Sequence, residues 1–180
     1  MSRINLARDM QSGKVSQDEA IKLNNEAFDA MIEKCYTDVS FAKKILPSTL
    51  EAIEYGAFYG CTSLMELNIP EGIKSVDGSV EYDYDDYGVF EECTGLAKVT
   101  IGGEGSDIEF TISHRAFFGC SALSDLTLGR GVTEIWAEAF SSCSSLSYIS
   151  YLGTEAEWND VYKNDEWCRD TNILEVYFKG

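Results

Sequence analysis

The sequence predicts an α+β chain: a β-rich solenoid of about four to five 23-residue coils, with an α-helical N-terminal cap and a short helix/strand cap at the C-terminus. Three observations predict it. One phrase returns four times with the same apolar spacing: Ala57-Phe58-x-x-Cys61-x-x-Leu64-x-x-Leu67-x-Ile69, then Val89-Phe90 through Ile101, Ala116-Phe117 through Leu128, and Ala139-Phe140 through Tyr151. The cysteines measure the period. Cys120 to Cys143 is 23 residues, Cys93 to Cys120 is 27 and Cys61 to Cys93 is 32, so four extra residues precede the third phrase and nine precede the second. A further apolar pair lies upstream of each Phe: Leu50 and Ile53, Ile73 and Val76, Val132 and Ile135, with Ile108 or Glu109 and Ile112 at a distorted turn. A unit that hides its apolar side only against its neighbours belongs to a repeat array.

The elements follow in order. Residues 1–44 do not repeat and read as a helical hairpin. Ile4, Ala7 and Met10 keep helical spacing up to Gly13, a C-terminal stop. Ser16-Gln17-Asp18-Glu19 is a capping box, behind which Ala20, Leu23, Ala27, Met31 and Cys35 recur at threes and fours. Such a segment covers the open end of an array, or docks it to a larger complex. The array itself, 45–152, opens on a half-coil at Ile45-Leu46-Pro47, spaced like Ile69-Pro70. Residues 153–180 form the C-terminal cap. Thr154 to Glu157 is a second capping box starting a short helix with Trp158 and Val161, and Ile173 to Phe178 is a final β-branched and aromatic strand. Trp158 and Trp167 are placed to seal the last coil.

Gly60-Cys61-Thr62-Ser63-Leu64 with Ile69-Pro70, and Gly119-Cys120-Ser121-Ala122-Leu123, resemble the BspA-like class of leucine-rich repeats. The 23-residue unit fits the leucine-rich-repeat period of about 20 to 29 residues. The stretch from Tyr151 to Trp158 is similar to the segment that ends many such arrays. The resemblance spans roughly residues 45 to 180 and implies the fold. Of function it implies a class only, surface and interaction proteins with varied ligands. Glu91-Glu92 and Ser141-Ser142 replace the usual residues before Cys, which leaves the expected fold untouched.

A chain of 180 residues with 44% hydrophobic and 12% aromatic content suits one compact domain, or one array with a small cap. It contains no apolar run of 18 residues, so no membrane span is expected. The N-terminus lacks the apolar stretch of a secretory signal, which predicts a cytoplasmic location, with surface or virion display if the chain travels in a larger assembly. Acidic residues number 31 against 14 basic, a net charge of −17. That charge repels phosphate, disfavours nucleic acid and anionic membranes as partners, and favours a basic protein; its other role is solubility. Four of the six cysteines fall at one place in successive coils. Stacked coils lie about 5 Å apart, so these thiols form an inward ladder of small hydrophobes rather than a disulfide framework. No Cys-x-x-Cys is present, and no zinc site is expected.

Two places can carry binding. Side chains alternate along a strand, so the outward ladder is Glu66 and Asn68, Lys98 and Thr100, Asp125 and Thr127, Tyr148 and Ser150. This mixed polar face suits a protein or glycan surface, or is simply a solvated β-face. The other place is the nine-residue insertion carried within the stretch Val76 to Gly88, which sets Tyr82, Tyr84 and Tyr87 among Asp77, Glu81, Asp83, Asp85 and Asp86. Tyrosine supplies rigid contact area and the acids attract Lys and Arg, although a loop of this kind can also be idle decoration. As a calcium loop it lacks the third ligand and carries Thr94 at position twelve. His114 reads as a turn residue, Cys120 points inward, and Gly102-Gly103-Glu104-Gly105 lacks the Lys-Ser/Thr of a phosphate loop.

No catalytic residue, metal or cofactor is therefore expected. The sequence points to a non-catalytic protein-interaction module of the recognition or adhesion type. It would bind through the insertion (Tyr82, Asp83, Tyr84, Asp85, Asp86, Tyr87) and the strand face (Glu66, Lys98, Asp125, Tyr148). The alternative is an intracellular or phage-encoded acidic inhibitor that blocks a basic partner, of the kind that binds nucleic acid.

Overall fold

The computed structural model describes residues 43–45, 52–53, 56–70, 73, 75–76, 87–103 and 109–180. The predicted N-terminal helices, the Ser16 capping box, Leu50, Ile108 and the insertion residues Tyr82, Asp83, Tyr84, Asp85 and Asp86 lie outside the described residues. All described residues belong to the unit Cys35–Gly180.

Each repeat contributes one short strand to each of two parallel sheets. The first sheet contains β1 (Lys43–Ile45), β3 (Glu66–Ile69), β5 (Lys98–Ile101), β7 (Asp125–Leu128), β9 (Tyr148–Tyr151) and β11 (Glu175–Phe178), side by side in chain order. The second contains β2 (Ala52–Ile53), β4 (Ser75–Val76), β6 (Phe110–Ile112), β8 (Val132–Ile135) and β10 (Tyr162–Lys163), also in chain order. Because the apolar spacing is identical in every copy, the register carries like onto like. Leu67 pairs with Val99, Val99 with Leu126 and Leu126 with Ile149. In the second sheet Ile53, Val76, Ile112 and Ile135 form the matching column.

At the corner between the sheets the Phe of each phrase stacks on the next. The ring centroids of Phe58, Phe90, Phe117 and Phe140 follow one another at 4.9, 5.1 and 5.2 Å with interplanar angles of 17°, 9° and 0°. Cys61, Cys93, Cys120 and Cys143 form a parallel column of thiols, fully buried and not joined in disulfides. A buried thiol still carries a weak donor. Cys93, Cys120 and Cys143 each give it to the carbonyl of Phe58, Phe90 and Phe117 respectively, at 3.0 to 3.2 Å. Burial pushes the Cys143 thiol up to about 12 and the Cys120 thiol well above its ordinary value.

Phe110 corrects one expectation. It pairs with Val132 and is buried, whereas Glu109, one of the two residues assigned to that position, is exposed. A register shift between Phe110 and Thr111 absorbs the extra residue, as a bulge does.

The repeat phrase stops at Tyr151, yet both sheets continue. Thr154 caps the helix α1 (Glu155–Asp160): its hydroxyl accepts from the Glu157 N–H while the Glu157 carboxylate accepts from the Thr154 N–H. The chain then adds β10 to the second sheet, sets Trp167 edge-on against Phe140 at 6.2 Å, and adds β11 to the first sheet. Trp158 packs between Tyr151 (5.2 Å) and Trp167 (6.3 Å). The corner hydrogen bonds of the repeats also continue: Phe117 N–H donates to Ala139 O, and Phe140 N–H to Trp167 O. No helix among the described residues is long and apolar enough to cross a membrane.

Candidate protein-binding face

With the inward positions filled by Leu, Ile and Val, the alternate positions of the first sheet turn their polar side chains outward. The register brings the predicted residues together in one row. Glu66 pairs with Lys98 and Lys98 with Asp125, and Tyr148 on β9 follows, one position before the Leu126–Ile149 pair. A second row runs Asn68, Thr100, Thr127, Ser150 and Tyr177. Lys98 Nζ donates to Asp125 Oδ2 at 2.5 Å. That hydrogen bond and the attraction of Asp125 hold the Lys98 ammonium above its usual pKa, with Glu66 adding a smaller push. Both partners are well exposed, so the pair contributes only about 0 to 1 kcal/mol to stability, and its main effect is to neutralise the middle of the row.

Two residues of this face are missing from the sequence reading. Glu175 lies directly opposite Tyr148, and Tyr177 lies beside Ser150. The Tyr148 and Tyr177 rings meet edge to face at 5.7 Å. Tyr177 donates its hydroxyl to Glu175 at 2.6 Å, which raises the phenol pKa further above neutrality. The signal is the repeat spacing itself, since Val176 and Phe178 stand 9 and 11 residues after Trp167 as Leu67 and Ile69 do after Phe58, but Trp167 and Asp170 in place of the Phe and Cys mask the phrase.

Tyr87, the one insertion residue described, sits at a different place. It lies at the corner before Phe90, half exposed, with its ring 4.3 Å from that of Tyr59. Burial, then the charges of Glu91, Tyr87 and Glu92, hold the Tyr59 phenol above its ordinary value. The base of the insertion is tightly fixed. A Cβ on Gly88 would lie 1.8 Å from the Arg115 carbonyl oxygen, so only glycine fits. Glu91 is 3% exposed, accepts from the Gly88 N–H at 2.8 Å and takes two hydrogen bonds from the Arg115 guanidinium. The charges continue along the corner: Arg115 lies 3.8 Å from Glu138, and Glu138 pairs with Arg169 at 2.8 Å. No motif in the sequence marks this chain of ion pairs: Arg115 and Glu138 each stand two residues before their Phe, but Glu91 stands one after Phe90 and Arg169 two after Trp167.

His114 is an exposed turn residue, as expected. Cys120, with its thiol on Phe90 O and its pKa raised by burial, stays protonated, the opposite of an activated nucleophile. Among the described residues no group of His, Cys, Asp and Glu is arranged to hold a metal ion.

Among curated proteins none matches the chain. Of solved structures, a leucine-rich cell surface protein from Faecalibacterium prausnitzii is similar at 26% identity and TM-score 0.45, over 67% of this chain and 35% of that one. The T. pallidum leucine-rich repeat protein is similar at 18% identity and TM-score 0.38, over 75% of this chain and 72% of that one. A leucine-rich repeat protein from Eubacterium ventriosum is similar at 18% identity and TM-score 0.39, over 71% and 42%. The chain thus spans about a third of the length of the first of these. The model of the BspA type leucine-rich repeat region matches residues 29–159 with six copies, beginning upstream of residue 45, where the repeat phrase predicts the array to start. The chain belongs to the BspA-type leucine-rich-repeat family.

Proposed function

We propose that this chain is a non-catalytic recognition module that holds a basic protein partner on the outward face of its first sheet, with the acidic tyrosine insertion as a second contact. On this reading the repeats form a solenoid, residues 153–180 close one end, and residues 1–44 cover the other end or dock the chain to an assembly that displays it. Proteins of this family are generally protein-interaction or adhesion modules. One observation supports the reading most: the repeat buries its apolar side chains and leaves Glu66, Lys98, Asp125 and Tyr148 in one outward row. The net charge of −17 favours a basic partner, and equally favours the second reading, an acidic inhibitor that occupies the basic surface of a nucleic-acid-binding protein. Thr100→Lys with Thr127→Lys sets two cations in the outward row beside the first. Immobilised wild-type protein should retain a basic protein from lysate at low salt and release it at high salt, and the double variant should fail to retain it while keeping its circular dichroism. Retention equal to that of the wild type, both by this variant and by a chain lacking the insertion, would overturn the reading.

A further inference from the structure

Charge alternates along the outer row of the first sheet and then stops. Glu66, Lys98 and Asp125 follow one another on adjacent strands, and each carboxylate of this stretch has the Lys98 ammonium on the neighbouring strand. The next strand would continue the alternation with a cation, but β9 places Tyr148 there, and β11 then places Glu175 directly opposite it. Tyr148 therefore lies between two strands that carry carboxylates, and among the described residues no basic side chain pairs with Glu175. Tyr177 closes the other side, its ring 5.7 Å from that of Tyr148 and its hydroxyl on the Glu175 carboxylate. Tyr177 is half exposed and Glu175 exposed, so both can be reached from outside.

We infer that Tyr148, Glu175 and Tyr177 form the seat for a single Lys or Arg side chain of the protein partner, whose cation supplies the positive charge missing from the row. Adjacent strands are about 4.8 Å apart, so the strand bearing Tyr148 has the strands bearing Asp125 and Glu175 about that far away on either side. A tyrosine ring face and a carboxylate are what a guanidinium or ammonium recognises: cation–π attraction from the ring and a charge-assisted hydrogen bond from Glu175. An anion is repelled at the same place by the Glu175 carboxylate. The inference rests on the reading of this sheet as the face for a basic partner, and it names the anchor point on it.

The test is an NMR titration of the full chain with N-acetyl-arginine amide, and with N-acetyl-citrulline amide, which has the same shape without the charge. The arginine compound should shift the signals of Tyr148, Glu175 and Tyr177 most, and the citrulline compound should leave them in place. Glu175→Gln and Tyr148→Ser should each weaken binding by about three- to fivefold. Glu155→Gln changes the net charge equally at an exposed helix residue and should change binding less than about 1.5-fold. Shifts spread evenly over the acidic surface, equal shifts with citrulline or with a methyl glycoside, or equal effects of Glu175→Gln and Glu155→Gln would overturn the seat. Retention of a whole basic protein, tested with Thr100→Lys and Thr127→Lys, is a separate readout, so the anchor and the face can fail independently.

Discussion

The residue before each repeat cysteine sits in left-handed backbone: Gly60 at φ 66°, Glu92 at 59°, Gly119 at 71° and Ser142 at 60°. The conformation is imposed by the corner, where the N–H of this residue donates to the next repeat: Gly60 to Glu91, Glu92 to Phe118, Gly119 to Ser141 and Ser142 to Arg169. Glycine adopts it without a Cβ penalty, while other residues are strained by about 1 to 2 kcal/mol. Glycine also loses more entropy on folding, about 0.5 to 1 kcal/mol, so Ser142→Gly should raise stability by up to about 1 kcal/mol. Gly119→Ala should lower it by at least about 1 to 2 kcal/mol, and more if the Glu92 carboxylate, 2.5 Å from the new Cβ, cannot move. Denaturant midpoints read both, and the opposite signs would mean that this corner is not left-handed. The Gly-Cys pairs of the first and third phrases make the requirement visible in the sequence. Glu92 and Ser142 hide it, because the backbone hydrogen bond sets φ there and side-chain type does not.

The columns are the elements that hold the repeats together, and their order was readable because apolar spacing alone determines which side chain stacks on which. Phe117 lies between Phe90 and Phe140, so Phe117→Ala removes two ring contacts and should cost about 3 to 5 kcal/mol. His114→Ala, at an exposed turn, should change stability by less than about 0.5 kcal/mol. Equal effects would mean inside and outside are exchanged. The thiol column gives a pH signature. The folded Cys143 pKa, about 12, lies above the ordinary thiol value of 9.0, so the native state keeps a proton that the unfolded chain releases. Its stabilisation is complete below about pH 9 and is lost as pH rises towards 12, at about 1.4 kcal/mol per pH unit. Urea midpoints should fall more steeply with pH above 9 in the parent than in Cys143→Ala; parallel curves would contradict a neutral buried thiol. Phe110 was less legible than these columns, since the shifted register at β6 breaks the offset on which the spacing argument depends.

At the scale of the whole molecule, the period separates what stacks from what is inserted. From the last residue of the second-sheet strand to the corner Phe is five residues in the first, third and fourth repeats, Ile53 to Phe58, Ile112 to Phe117 and Ile135 to Phe140, and 14 in the second, Val76 to Phe90. Removing residues 78–86 restores five and keeps Gly88, whose close approach to Arg115 no other residue allows. Loop length itself matters little, about 0.6 kcal/mol per doubling, so the shortened chain should fold with a melting temperature near or above that of the parent. Failure to fold would refute the insertion. The extension of both sheets past Tyr151 was not legible as a repeat: residues 153–180 keep the hydrogen-bond path of the array, and Ile173, Val176 and Phe178 keep its apolar spacing after Trp167, but Trp167 replaces the Phe and Asp170 the Cys that mark the phrase elsewhere. For the same reason Glu175 and Tyr177 escaped notice while Glu66, Lys98, Asp125 and Tyr148 did not. All of this depends on the side of the sheet that each repeat position faces, and thiol labelling of native protein with peptide-level mass spectrometry tests that most directly. Cys61, Cys93, Cys120 and Cys143 should stay unlabelled until denaturant is added, while a cysteine introduced as Thr100→Cys on the outward row, and then the part-exposed Cys168, react. Labelling of the four repeat cysteines as fast as the introduced one would contradict the assignment of inside and outside, and with it the binding face.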